Sequence, residues 1–369
     1  MRSMPTTRTT GVPSSEGTPD LFMGRTNLKL VEASGTAREI GLATGEHLRE
    51  EIRETLDVLD ERGRPAEFEK RLPEFVAAAQ RQVPLVVEEM QATAEGANLP
   101  VEDIYRLNFP LYANELVVAE GCTNIVFASG SEGPVWGKNN DGIAEQRRLP
   151  PCARLVRREG MIPLLTFTFC GMVATLDGMN AAGLAVGHSS VGSVFQQSDR
   201  HVPIRLWGYE GMLRCGSAAE FVDHMAAVPT RDKGYATVCV DRKGVTCSIE
   251  APVPLVQVRR ARHSQGHMHC VNCYQLPALA EADRRTPEGK ANAQARWRML
   301  DEWLDASEDF SMRAMRGLLQ HHEEPAICRH GVKEESLTEY SMIGLPQSGL
   351  VYYRHGLACE GEFEVVKVC

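Results

Sequence analysis

The spacing of apolar residues changes character along the chain. From Asn27 to Ala33, "NLKLVEA" alternates apolar and polar positions, the period of a strand. "GTARE" follows. Thr36 and Glu39 have capping-box spacing, in which a hydroxyl and a carboxylate each take a free backbone N–H. Ile40, Leu48, Ile52, Leu56 and Leu59 then mark one face of an amphipathic helix whose other face is charged. A second helical stretch is predicted from Pro73 to Glu95, kinked at Pro84, where proline supplies no N–H. "GANLPVEDIYRLN" reads as a helix stop, a turn and a short helix entered at Pro100.

After Cys122 the period shortens. "CTNIVFA", "PVWGKN", "MIPLLTFTFC" and "GLAVGHSS" are short runs punctuated by Gly, Pro, Asn and Asp, and read as strands. "VPIRLWGYEGMLRC" and "SAAEFVDHMAAV" read as helices, the second with a capping box at Ser217 and Glu220. "YATVCVDRKGVTCSIEA" reads as a hairpin turning at Asp241 to Gly244. Helical spacing returns at Pro287 to Asp305 and at Ser311 to His321. The strands "LTEYSMIGL", "GLVYYRH" and "FEVVKV" follow. Blocks of helices and strands in this order predict a layered α+β fold rather than strictly alternating βα units. No strong linker divides the chain, so one large domain is expected over 23–369. Residues 1–22, rich in Thr, Ser, Pro and Gly, are expected to form a disordered tail.

Composition narrows the function. A 369-residue chain can bury a large core, and 43% hydrophobic with 24% charged residues is the balance of a soluble globular protein. A net charge of −9 argues against nucleic acid or an anionic membrane as partner, since both call for a basic face. No apolar run approaches the ~20 residues that span a bilayer, and the start lacks the apolar stretch of a secretory signal. Eleven scattered cysteines, an odd number, fit free thiols in a reducing cytoplasm.

One of those cysteines sits in "EGCTNIVF". A buried core thiol would suit the start of a strand there. A catalytic thiol would too: Gly121 offers least hindrance to attack on its carbonyl, and the polar cluster "GKNNDG" follows about twenty residues later. Cutting the Gly121–Cys122 bond would create a nucleophile together with its own base, an α-amine of pKa about 8 one residue's reach from the sulfur. "NNDG" is equally a turn sequence by composition.

The ordered set "TAREIGLATGEHL", "GANLPVEDIYRLN", "EGCTNIVF", "GKNNDG", "GMNAAGLAVG", "SAAEFVDHM", "VNCY" and "TEYSMIGLP" resembles the isopenicillin-N acyltransferase-like family of N-terminal nucleophile hydrolases, from about Gly35 to Val368. The resemblance implies a four-layer αββα sandwich. It implies self-cleavage before Cys122, leaving an α chain of 1–121 and a β chain of 122–369. It gives Cys122 the nucleophile's role, Asp141 a place beside the freed amine and Asn272 the oxyanion. Thr123, Asn140, Thr338 and Ser341 become candidate substrate-binding residues, although Thr338 and Ser341 read equally well as ordinary strand positions. The implied reaction is cleavage or transfer of an acyl group at an amide or thioester through a thioester acyl-enzyme, in the manner of bacterial secondary metabolism and antibiotic biosynthesis. Small-molecule acyl amides or thioesters are the expected partners, acyl-coenzyme A among the possible substrates, with no cofactor or metal. Two departures stand out. Cys273 replaces the family's histidine after Asn272. Glu335, with Lys333 the nearest cation, replaces an arginine of the penicillin-type member, which points to a different substrate.

The rival reading is a zinc or redox protein. "HSQGHMHCVNC" holds His263, His267, His269, Cys270 and Cys273, the last two spaced Cys-x-x-Cys, and Cys328 and His330 could complete a site. Strand alternation in "HMHCVNCY" opposes it by sending Cys270 and Cys273 to opposite faces. His321 and His322 read as a solvated helix end. Phe127, Trp136 and Phe169 fit either an apolar acyl pocket or the core.

Overall fold

The computed structural model describes residues 28–61, 66–109, 121–143, 148–331 and 336–368. The expected tail of 1–22 lies outside them. Strand β1 (Lys29–Gly35) leads into helices α1 (Ala37–His47), α2 (Arg49–Asp60), α3 (Ala66–Gln82), α4 (Pro84–Ala97) and α5 (Val101–Asn108). Seven strands follow: β2 (Thr123–Phe127), β3 (Val135–Ile143), β4 (Pro151–Arg158), β5 (Leu164–Phe169), β6 (Gly178–Asn180), β7 (Ala185–Ser190) and β8 (Val202–Pro203). Then come α6 (Ile204–Arg214), α7 (Ala218–Ala226), β9 (Thr230–Arg231), β10 (Tyr235–Val240), β11 (Thr246–Ala251), β12 (Gln257–Arg259) and β13 (Met268–Val271). The last elements are α8 (Pro287–Ala306), α9 (Met312–Gln320), β14 (Ser336–Leu345), β15 (Leu350–His355) and β16 (Glu364–Lys367).

The strands form an eight-stranded sheet, ordered β1-β4-β5-β6-β7-β10-β11-β12, and a six-stranded sheet, ordered β13-β2-β3-β14-β15-β16. The β1–β4 pair is parallel and the other ladders of these two sheets are antiparallel. Side-chain alternation sorts the core into three slabs. Val126 and Trp136 meet Ala153, Leu155, Leu165 and Phe167 between the sheets. Ile125, Phe127 and Val135 face α8 and α9. Cys152 and Val156, on the outer face of the larger sheet, pack under α1 to α7. The molecule is therefore a four-layer αββα sandwich, as the resemblance implies.

The local rules mostly hold. The Thr36–Glu39 capping box is complete. At Ser217 only half of one forms: its hydroxyl accepts from Glu220 N–H, but the Glu220 carboxylate turns to Gly216 N–H at 2.7 Å. Pro84 opens a separate helix instead of kinking one, and the first helix breaks at Leu48, which has non-helical backbone angles and is fully buried. Strand β4, "PCARLVRR", has no apolar–polar alternation because both of its faces are largely buried and Arg154 and Arg158 are inside. Arg154 and Arg158 reach from it to the Glu89 carboxylate on α4, which also accepts from Tyr209. No disulfide joins the described cysteines. Among the described residues no helix is long and apolar enough to cross a membrane.

Candidate active site

Gly121 and Cys122 lie at the mouth of β2, and Cys122 is only 5% exposed. Alternation along β2 turns Thr123 toward α8 and Asn124 toward the gap between the sheets. Two β3 residues meet the thiol: Cys122 Sγ lies 3.7 Å from Asn140 Oδ1 and 3.8 Å from the Asp141 carbonyl oxygen. On the other side a single buried guanidinium grips the Gly-Cys junction. Arg296 Nη1, from α8, donates to the Gly121 carbonyl at 2.8 Å, the Cys122 carbonyl at 2.9 Å and Thr123 Oγ1 at 2.9 Å. Its Nη2 donates to Asn272 Oδ1 at 3.0 Å. The Ser189 hydroxyl adds a bond to the Cys122 carbonyl at 3.2 Å.

Asp141 is buried with one partner in place. Thr338 Oγ1 donates to its Oδ1 at 2.7 Å, while Oδ2 has no hydrogen-bond partner among the described residues. The same threonine oxygen accepts from the Arg329 backbone N–H at 2.9 Å. A β-bulge at Thr338–Tyr340 in β14 allows this, since the register with β3 slips there. Burial pushes Asp141 up to about 6, and Arg329, Thr338, Arg296 and Lys138 pull it back from a larger shift.

Arg329 packs on the junction itself. A Cβ added at residue 121 would lie 1.8 Å from Arg329 Nη1, so glycine is what leaves room for that guanidinium. Burial, then Arg329, push Arg296 down to about 9, still charged at neutral pH. Below the thiol, Lys138 Nζ meets Asp177 Oδ1 at 2.9 Å and the His188 carbonyl at 2.6 Å, with both ionic groups fully buried. Burial is the largest influence and opposes the Lys138 charge, but Asp177 together with Cys122 and Cys270 outweighs it and the pKa rises. His188 Nδ1 also meets Asp177 Oδ1 at 2.9 Å, yet burial dominates and lowers its pKa, leaving it neutral.

The structure thus brings Cys122, Thr123, Asn140, Asp141, Asn272 and Thr338 into one connected neighbourhood. Ser341 is placed differently. Its hydroxyl donates to Asn139 Oδ1 at 2.7 Å, and Asn139 Nδ2 in turn caps the carbonyls of Leu319 and Ile327, so both are buried joints between β3, β14 and α9. The Asn272 amide donates to the Ser190 carbonyl at 2.8 Å, so its N–H is already committed. Sequence reasoning assigns no role to Arg296, Arg329 or Lys138 and looks for the missing cation at Glu335 and Lys333; those two lie outside the described residues. The signal available for Lys138 is its place inside "GKNNDG"; Arg296, in mid-helix, gives none. The aromatics read as a possible acyl pocket divide between two slabs of core: Trp136 and Phe169 between the sheets, Phe127 against Trp303 and Phe310.

Cys270 and Cys273 do occupy different cores. Cys270 lies between the sheets, its Sγ 3.4 Å from the Ala236 carbonyl, and Cys273 packs beside α8. Burial pushes their thiols up to about 12 and about 11, and their separation into different slabs keeps the two from sharing one ion.

No protein-family model matches the chain, and neither does any curated protein. Solved structures do. An N-acylethanolamine-hydrolyzing acid amidase ortholog from Caenorhabditis elegans is 14% identical, with 61% of this chain and 93% of that one covered and a TM-score of 0.45. A mutant of the conjugated bile acid hydrolase from Clostridium perfringens is 12% identical over 67% and 96%, with a TM-score of 0.44. Penicillin V acylase from Agrobacterium tumefaciens is 11% identical over 63% and 83%, with a TM-score of 0.37. Likeness at this level decides neither fold nor activity, which rest on the residues themselves.

Proposed function

We propose that this chain is a self-processing enzyme of the N-terminal nucleophile type, in which Cys122 cleaves or transfers an acyl group at an amide or thioester carbonyl. The observation that carries the reading is the Arg296 guanidinium on the Gly121 carbonyl oxygen, 2.8 Å away, beside a thiol already held by β3. A core cysteine has no use for a buried cation on the preceding carbonyl. A peptide bond about to be attacked does: negative charge develops on that oxygen, and a preformed charged donor there is worth about 3 kcal/mol or more.

In the first step Cys122 Sγ attacks the Gly121 carbonyl carbon. The C–N bond breaks, the departing nitrogen takes the thiol proton, and a thioester links Gly121 to the sulfur. Water then releases the Gly121 carboxylate and restores the thiol. The freed α-amine becomes the base that the uncut chain lacks. Asp141 Oδ2 offers that amine a buried acceptor. In catalysis the thiol takes the acyl group from an amide or thioester, the amine hands its proton to the leaving group, and water or an amine removes the acyl group. Arg296 is the donor best placed for the oxyanion of self-cleavage. Asn272 acts on it through Arg296, and becomes a direct donor to a substrate once it releases Ser190.

Acyl-coenzyme A is one thioester donor of the right chemistry. A cavity of about 430 Å³ lined by Arg71, Ser193, Phe195, Arg231, Lys233 and Arg284 supplies cations for such an anionic group, although Arg71 and Arg231 already share Asp199. A panel of N-acyl amines and acyl-coenzyme A thioesters, given to the purified protein and to Cys122→Ala, tests the activity. Turnover by the first and none by the second is expected. Equal turnover by both would exclude Cys122 as the nucleophile.

A further inference from the structure

Cys328 and His330, the residues on either side of Arg329 in the chain, belong to a second group of side chains of which the acyl-transfer reading makes no use. His322, His330 and Cys359 bring one ligand atom each to within 4.8 Å of one another, the only such group of three among the described residues. Cys359 Sγ lies 3.3 Å from His330 Nε2. A second cysteine stands next to it: Cys328 Sγ is 3.7 Å from Cys359 Sγ. The ring centroids of His322 and His330 are 5.4 Å apart.

The Cys359–Cys328 and Cys359–His330 spacings match tetrahedral zinc, and Cys328, outside the three whose ligand atoms all lie within 4.8 Å, joins them by a side-chain rotation. With Zn–S near 2.3 Å and Zn–N near 2.0 Å, tetrahedral geometry sets two sulfurs about 3.8 Å apart and a sulfur and nitrogen about 3.5 Å apart. Orientation fits as well. His322 Nδ1 lies 3.1 Å from the Gln320 carbonyl oxygen, to which it donates in one tautomer. That bond fixes the tautomer with a bare Nε2, the arrangement usual for a metal-bound histidine. The four residues come from two segments distant in sequence, the stretch after α9 and the turn between β15 and β16. Two thiols and two imidazoles favour zinc over harder, oxygen-seeking cations.

We propose that His322, Cys328, His330 and Cys359 form a structural zinc site that clamps the segment carrying Arg329 to the turn after β15. Two of these residues, Cys328 and His330, are the ones the sequence offered to Cys270 and Cys273; the fold gives them different partners. The clamp holds the neighbours of Arg329 on both sides, so it also fixes the guanidinium that packs on Gly121. That last consequence rests on the acyl-transfer reading, and the site itself does not.

The test measures metal directly. Full-length protein is reduced, incubated with zinc, dialysed against metal-free buffer and assayed by plasma mass spectrometry. One zinc per chain is expected. Loading with cobalt instead should give an intense thiolate-to-cobalt charge-transfer band and the strong visible bands of a four-coordinate ion. His322→Gln, at an exposed position where folding is not at stake, and Cys359→Ser should each lose most of the metal. Cys273→Ser should retain it. Zinc should also protect Cys328 and Cys359 from alkylation. Less than a tenth of an equivalent of zinc in the unaltered protein would overturn the proposal. So would unchanged zinc in both His322→Gln and Cys359→Ser, or a Cys328–Cys359 disulfide whose reduction restores no metal uptake. If zinc binds one to one and self-cleavage is absent, the site stands and the acyl-transfer reading falls.

Discussion

Arg296 Nη1 serves three oxygens at once, and two of them are the carbonyls on either side of the bond proposed to break. Arg296→Gln removes the charge, and self-cleavage is expected to slow by about a hundredfold, read as the rate at which full-length chain disappears by mass. Unchanged kinetics would mean the guanidinium is only a structural tie. Asp141 gives a prediction of opposite sign for stability and activity. Its folded pKa, about 6, lies above the ordinary 3.8, so the folded protein holds that proton more tightly than the unfolded chain does. The stability this confers is complete below pH 3.8 and is lost as the pH rises through about 6, a loss of about 3 kcal/mol. Asp141→Asn should therefore melt higher than the unaltered protein at neutral pH and lose that advantage below pH 4, while its processing and turnover fall. A variant that melts lower at neutral pH would contradict the burial argument. At this scale the sequence exposed Cys122, Asp141 and Asn272 because they stand in recognisable strings. It concealed Arg296 and Arg329, which a helix and a loop far along the chain deliver to the thiol.

Helix α1 meets α4 through glycines. A Cβ at Gly41 would come within 2.4 Å of the Glu89 carbonyl oxygen, one at Gly45 within 2.2 Å of the Thr93 carbonyl oxygen, and one at Gly96 within 2.2 Å of the Leu42 carbonyl oxygen. Backbone faces backbone there, so neither side can yield as a flexible side chain would. Gly45→Ala should cost about 1–3 kcal/mol by denaturant unfolding, with no direct effect on the thiol. Glu89, on the same α4, is fully buried and holds Arg154 and Arg158 of β4. Glu89→Gln leaves two buried arginines short of their counter-charge and should cost about 3–5 kcal/mol. Helices α2 and α7 were readable because one face is wet, and the buried strands β2, β5, β10 and β14 were readable as β-rich runs between turn residues. Strand β4 was not, because its buried Arg154 and Arg158 imitate a solvated loop.

The two proposed cleavage products would be tied together by the fold. Strand β1, from the N-terminal product, lies parallel to β4 in the larger sheet, with Lys29 opposite Cys152 and Gly35 opposite Arg158. Helices α1 to α5 cover that sheet's outer face through Ile40, Leu48, Ile52, Met90 and Ile104. Both products should co-purify at native pH and separate only in denaturant. The layer order was legible because blocks of helix and strand leave few ways to bury one-sided faces. The positions of α8 and α9 over the smaller sheet were not, since nothing in an amphipathic helix names the sheet it will cover. The most direct measurement is the intact mass of freshly purified protein and of Cys122→Ala, followed over time. Two species that correspond to 1–121 and 122–369 in the first, and one uncut chain in the second, are what the account predicts. An unaltered protein that stays whole, or breaks at any other bond, contradicts it.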